Sequence, residues 1–155
     1  MNHTVAYTII FIVVVLSPLT TNCQSQKPPA HKNPDPIRWS NSLDEGLERA
    51  EKEQKPLMIH FTAAWCAPCQ EMKKKAFSDP RIISKSSDFI TLRIDIDEQR
   101  EVARKYNASA RMYGGVGIPN ILFLDADGTQ LKHIVGYQSP EQLLAAMNEA
   151  LSLKK

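Results

Sequence analysis

Two cysteines stand three residues apart in Trp65-Cys66-Ala67-Pro68-Cys69. A C-x-x-C pair is either a dithiol–disulfide couple or half of a metal site, and its setting separates the two. A zinc site needs about four ligands. The remaining cysteine, Cys23, lies far upstream, and His3, His31, His60 and His133 form no closely spaced pair. A static disulfide across so short a loop would constrain the unfolded chain little. The residue types therefore point to thiol–disulfide exchange, in which a thiolate attacks a disulfide sulfur and forms a mixed disulfide. Two sulfurs suffice for that chemistry, so no cofactor and no metal are expected.

The flanking elements fit this reading. Pro56-Leu57-Met58-Ile59-His60-Phe61-Thr62 is a short apolar run that reads as a buried strand. Gln70 to Phe77 is built of good helix formers. The cysteines thus sit where a strand turns into a helix, with Pro68 in the first turn, where its missing N–H costs nothing. Cys66 is expected at the positive end of the helix dipole, near unpaired N–H groups and close to solvent. Such a site favours thiolate over thiol and lowers the pKa. Cys69 is expected inside the first turn, shielded, and placed to resolve the mixed disulfide.

The rest of the chain supplies a scaffold. Ser42-Leu43-Asp44-Glu45 is a capping box, and Leu43, Leu47 and Ala50 continue it at helical spacing to about Gln54. Ile82 and Ile83 fit a short helical turn. Phe89 to Ile96 alternates and is rich in β-branched residues, as strands are. Asp95 to Glu98 then opens a helix through about Tyr106, with acids at its positive end. Tyr113 to Pro119 reads as a flexible Gly-rich loop before the strand Asn120 to Leu124. Asp127-Gly128 is a hairpin turn into the strand Thr129 to Val135, with His133 facing solvent. Ser139-Pro140-Glu141-Gln142 caps the last helix. The order predicts an α/β domain with a mixed four- or five-stranded sheet: parallel pairing from the β-α-β start, antiparallel pairing from the hairpin.

Before residue 37 the composition changes. Ala6 to Leu16 is almost wholly apolar, but shorter than the ~20 residues of a membrane span. Residues 1–22 read as a signal peptide or an N-terminal anchor. Leu19-Thr20-Thr21-Asn22-Cys23 loosely resembles a lipoprotein cleavage box, so Cys23 is either lipidated or incidental. Residues 23–36, with four prolines between Gln24 and Pro36, read as a linker. Residues 37–155 form the domain. Export would place the cysteine pair in an oxidising compartment, periplasmic or cell-envelope. The net charge of +2, from 19 Lys+Arg against 17 Asp+Glu, gives no support for nucleic-acid binding.

From Ser42 to Leu151 these features together resemble the thioredoxin superfamily. The resemblance rests on the strand before Trp65-Cys66-Ala67-Pro68-Cys69, the Ile118-Pro119 step, the Asp127-Gly128 hairpin, Gly136 and the last helix. Lys55-Pro56-Leu57-Met58 with Phe61-Thr62-Ala63-Ala64-Trp65-Cys66 is similar to exported thioredoxin-like proteins and to the C-terminal domain of the thiol:disulfide interchange protein DsbD. The resemblance implies a thioredoxin-like fold, Cys66 as the attacking cysteine, Cys69 as the resolving cysteine and Pro119 as a cis-proline facing the disulfide. It also implies a substrate-binding surface at Trp65, Ile118 and Pro119. Residues alone favour a trans bond before Pro119. Many relatives in this superfamily carry a buried acid six residues before the first cysteine. Here that residue is His60, either a proton relay or a satisfied core histidine.

The function expected from all this is an exported thiol:disulfide oxidoreductase. The similarity of Ala67-Pro68 to reducing thioredoxins makes it a reductase of protein disulfides, monomeric and fed by a membrane electron donor. The alternatives are a non-catalytic binding or chaperone module on the same fold and, less simply, a metal carrier.

Overall fold

The computed structural model describes residues 36–155. The expected leader or anchor over 1–22, Cys23 and the linker up to residue 35 lie outside the described residues. The apolar run before the cysteines forms β1 (Leu57–Thr62) at the middle of a four-stranded sheet. On one side it pairs in parallel with β2 (Ile90–Asp95). On the other it pairs antiparallel with β3 (Asn120–Leu124), which pairs antiparallel with β4 (Gln130–Val135). The mixed sheet expected from the element order is therefore present, in the order β2-β1-β3-β4.

Helices cover both faces, which is why β1 is apolar at all positions but His60 and Thr62 rather than alternating with polar residues. Side chains still alternate between the two sides. Leu57, Ile59 and Phe61 join Ile90, Leu92, Ile94, Leu122 and Leu124 in a core beneath α1 (Leu43–Glu53) and α4 (Arg100–Lys105). Met58, Ile121 and Phe123 join a second core with α2 (Ala67–Lys74), α3 (Pro80–Ser86) and α5 (Pro140–Leu153). Residues ahead of α1 belong to the domain as well. Ser40 bridges to Leu92 alongside β2, and Ile37 is buried in the second core.

Local signals set the helix ends. Ser42 Oγ accepts the Glu45 N–H at 3.3 Å at the start of α1. Both halves of the Ser139/Gln142 capping box are formed at α5. Gly128 takes a left-handed φ of 82° in the turn between β3 and β4, as the Asp-Gly pair requires. α4 starts later than the acidic run suggested. Asp97 N–H donates to Asp95 Oδ1 at 2.9 Å, a local turn that delays the helix to Arg100.

His60 lies in β1 among aromatic rings, its centroid 4.8 Å from that of Phe77 and 6.1 Å from that of Trp39. It is buried, and neither Nδ1 nor Nε2 has a hydrogen-bond partner, so it is not a satisfied core histidine. Burial, helped by the nearby Arg93 guanidinium, lowers its pKa to about 3. The folded protein thus holds His60 neutral where the unfolded chain, near 6.5, would take a proton. Stability must therefore rise with pH between about 3 and 6.5 and be lost on acidification through that window. Half-buried His133, also shifted down by burial, adds a slope of the same sign. Between pH 6.5 and 4.5, His60 alone is expected to cost about 2–3 kcal/mol. His60→Leu should flatten most of that slope in urea titrations. It should also be at least as stable as the parent at pH 7, because no hydrogen bond is lost. An unchanged acid slope in the variant would contradict this assignment.

Candidate active site

β1 ends at Thr62 and α2 begins at Ala67, with Cys66 as its N-cap residue in an extended conformation. An N-cap side chain normally offers an oxygen to an orphan N–H of the first turn. Here Cys66 Sγ takes that place, accepting the Cys69 N–H at 3.3 Å. Cys66 C=O accepts the Gln70 N–H at 3.1 Å, and Pro68 sits in the first turn. One helical turn brings the two cysteines to a Cα–Cα distance of 5.3 Å, and they are joined in a disulfide. Both are covered, Cys66 2% and Cys69 1% exposed. Cys66 is thus less open than a helix N-terminus alone suggests. In the oxidised state its sulfur turns inward to Cys69, and both pack in the core with Ala63, Ala108 and Ala110.

The expected surface residues gather beside this pair. Trp65 is 50% exposed, and its Nε1 donates to Asp97 Oδ2 at 2.7 Å. That bond ties the cysteine loop to the segment after β2. The Ile118–Pro119 peptide bond is cis. Pro119 is buried, and its C=O accepts the Gly136 N–H at 2.8 Å. Ile118 is half-buried, and among the described residues neither its N–H nor its C=O has a hydrogen-bond partner. Trp65, Ala110, Met112, Ile118, Val135 and Gly136 line one open cleft of about 270 Å³. A smaller cavity of about 180 Å³ lies behind the pair and is lined by Cys69, His60, Thr62, Lys73 and Arg93 among others. The unpartnered imidazole and the buried cysteine therefore share one space.

Two features of the site went unread in the sequence. The Gly-rich loop is not slack. It opens with a 3-10 turn over Arg111–Tyr113 and is closed by the Val116 and Gly117 N–H groups, donating to Asn107 and Ser109 C=O at 3.2 and 3.0 Å. Asn120, fully buried at the start of β3, hydrogen-bonds into that loop. Its signal was an amide residue in an otherwise apolar strand, where asparagine is disfavoured. His133, expected to face solvent, is instead half-buried with Nε2 3.1 Å from Asn120 Oδ1.

Comparison with known proteins bears on the fold and the family. Residues 43–151 match the family model described as a thioredoxin-like domain. The chain is 30% identical over 116 residues to the thiol:disulfide interchange protein DsbD of Ralstonia nicotianae, covering 74% of this chain and 19% of that protein. It is 33% identical over 108 residues to DsbD of Salmonella paratyphi A, covering 68% of this chain and 18% of that protein. The chain thus spans about a fifth of the length of these relatives. Among solved structures, the DsbH oxidoreductase superposes with a TM-score of 0.64 at 22% identity, covering 86% of this chain and 94% of that one. The oxidised C-terminal domain of Neisseria meningitidis DsbD superposes with a TM-score of 0.58 at 20% identity, covering 73% of this chain and 99% of that one. These two likenesses are of fold. With a family model matched over 43–151, homology to DsbD and a C-x-x-C pair at the start of α2, the chain belongs to the thioredoxin-like family.

Proposed function

We propose that this protein is an exported thiol:disulfide oxidoreductase that reduces protein disulfides through Cys66 and Cys69. The observation that carries the reading is the pairing of the two sulfurs across the first turn of α2, beside an open cleft. In the reduced protein, Cys66 thiolate attacks one sulfur of a substrate disulfide. A Cys66–substrate disulfide forms and the other substrate sulfur leaves as a thiolate, which takes a proton from water. Cys69 then gives its proton to water and attacks Cys66 Sγ. The second substrate thiolate leaves, two electrons have passed to the substrate, and the Cys66–Cys69 disulfide remains.

The cleft supplies the substrate-binding surface in this reading. The free N–H and C=O of Ile118 are suited to pair with an extended substrate backbone, as at an exposed sheet edge. Trp65 forms an apolar wall, and the cis bond to Pro119 follows directly on Ile118. The disulfide must be reduced again for the next turnover. DsbD is named as a thiol:disulfide interchange protein, and by that likeness a membrane-held thiol donor is the proposed source of electrons. Export rests on the apolar run Ala6 to Leu16. Residues 1–22 then act as signal or anchor, with Cys23 as a candidate lipidation point, and a periplasmic or cell-envelope monomer is proposed. Among the described residues no helix is long and apolar enough to cross a membrane.

Substituting the cysteines one at a time tests the division of labour. Cys69→Ser should accumulate a covalent mixed disulfide with insulin through Cys66, because no second sulfur remains to release it. Cys66→Ser should accumulate none, and neither variant should turn over. Non-reducing electrophoresis and intact-mass measurement read the adducts. Adducts on Cys66→Ser rather than on Cys69→Ser would reverse the two roles. Wild-type protein that binds insulin without reducing it would favour the binding-module alternative.

A further inference from the structure

The loop from Ala108 to Gly117, which ends at Ile118, lines the cleft beside Trp65 through Ala110, Met112 and Gly117. Among the described residues it carries the most exposed large apolar side chain, Met112 at 72%, with Tyr113 beside it at 57%. Side chains so open would ordinarily be mobile, yet their backbone is tightly held. Gly115 N–H donates to Ala110 C=O at 3.2 Å. A Cβ on Gly115 would stand 2.1 Å from Ser109 O, so the two arms of the loop touch backbone to backbone.

The two arms still leave the Ala108 and Gly117 carbonyls pointing into the protein. Among the described residues neither accepts a backbone N–H. Buried carbonyls need donors, and Asn120 supplies both. Its Nδ2 donates to Gly117 O at 2.7 Å and to Ala108 O at 3.2 Å. With both amide hydrogens committed, the carboxamide has one orientation, and Oδ1 faces His133 Nε2 at 3.1 Å. Oδ1 can only accept, so Nε2 carries the hydrogen, which fixes the His133 tautomer. The chain of bonds runs from β4 through the first residue of β3 to both ends of the loop. Asn120 sets the loop, and His133 braces its Oδ1 from the other side.

Building on the oxidoreductase reading above, we propose that Asn120, braced by His133, is a positioning residue for substrate: it locks the Ala108–Gly117 loop so that Met112 and Ile118 meet a polypeptide disulfide in a preset geometry. Asn120 lies behind the loop and touches no substrate. Its effect should therefore fall on large substrates that span the cleft and spare small ones that need only the Cys66 sulfur.

The test compares insulin with glutathione disulfide as substrates of the full-length protein and its Asn120→Ala, His133→Leu and His133→Gln variants. Asn120→Ala and His133→Leu are expected to raise KM for insulin roughly tenfold while kcat stays within about twofold. Rates with glutathione disulfide and the Cys66–Cys69 reduction potential should not move. His133→Gln places an amide N–H near the position of Nε2–H and should restore the parental KM. Should Asn120→Ala fail to fold, the His133→Leu and His133→Gln pair reads the same effect. An unchanged insulin KM in a folded Asn120→Ala or His133→Leu variant would overturn the positioning role alone. So would an equal loss toward both disulfides, or no difference between His133→Leu and His133→Gln. Wild-type protein inert toward both disulfides would overturn the oxidoreductase reading, and this proposal with it.

Discussion

At most helix N-termini a serine or aspartate oxygen accepts the exposed N–H groups of the first turn. In this chain the sulfur of Cys66 does so, taking the Cys69 N–H at 3.3 Å. The rest of the site depends on that substitution of sulfur for oxygen. The helix N-terminus carries partial positive charge, so it favours a thiolate there over a thiol. The dipole contributes about 0.3–1 kcal/mol at exposed sites, and the direct N–H contact must add to it. The same first turn brings Cys69 to a Cα–Cα distance of 5.3 Å, within reach of a disulfide.

Such a turn keeps its geometry only if strand and helix are both fixed. β1 is fixed by pairing on both edges and burial on both faces. α2 is fixed by Met72, which packs into the second core with Ala76 and Phe77 just beyond its end, while Cys66 and Cys69 pack into the first. The helix thus spans both cores, which couples the site to the stability of the whole sheet. His60 is the exception in this packing. It is buried with two unbonded nitrogens, a cost of about 1–3 kcal/mol for each group left without a partner. It faces the cavity that also receives Cys69.

The parts of the fold set by neighbouring residues were legible in the sequence. Ser42 and Ser139 mark helix starts through side chains that bond three residues on. Leu57 to Phe61 marks a central strand through a run that is apolar at every position but His60. Trp65 to Cys69 marks the chemistry by spacing and setting. What escaped depends on contacts distant in sequence. The Trp65–Asp97 bond spans 32 positions and leaves no local pattern. Asp97 looked like a helix-opening acid, and only the fold turns it toward the indole. Alternation placed His133 outward, but the edge of the sheet at β4 is half-covered and Asn120 lies diagonally across from it on β3. The Gly-rich loop looked flexible because glycine permits freedom; Gly115 is instead required where two backbone arms touch.

The account rests on Cys66 being the sulfur that reacts, although in the disulfide both cysteines are covered. Brief alkylation of the reduced protein across a range of pH, followed by peptide mass spectrometry, measures this directly. Cys66 should be labelled first and still react at pH values below the ordinary thiol range near 8.5, while Cys69 lags behind it. Preferential labelling of Cys69, or equal labelling of both with the pH dependence of an ordinary thiol, would contradict it.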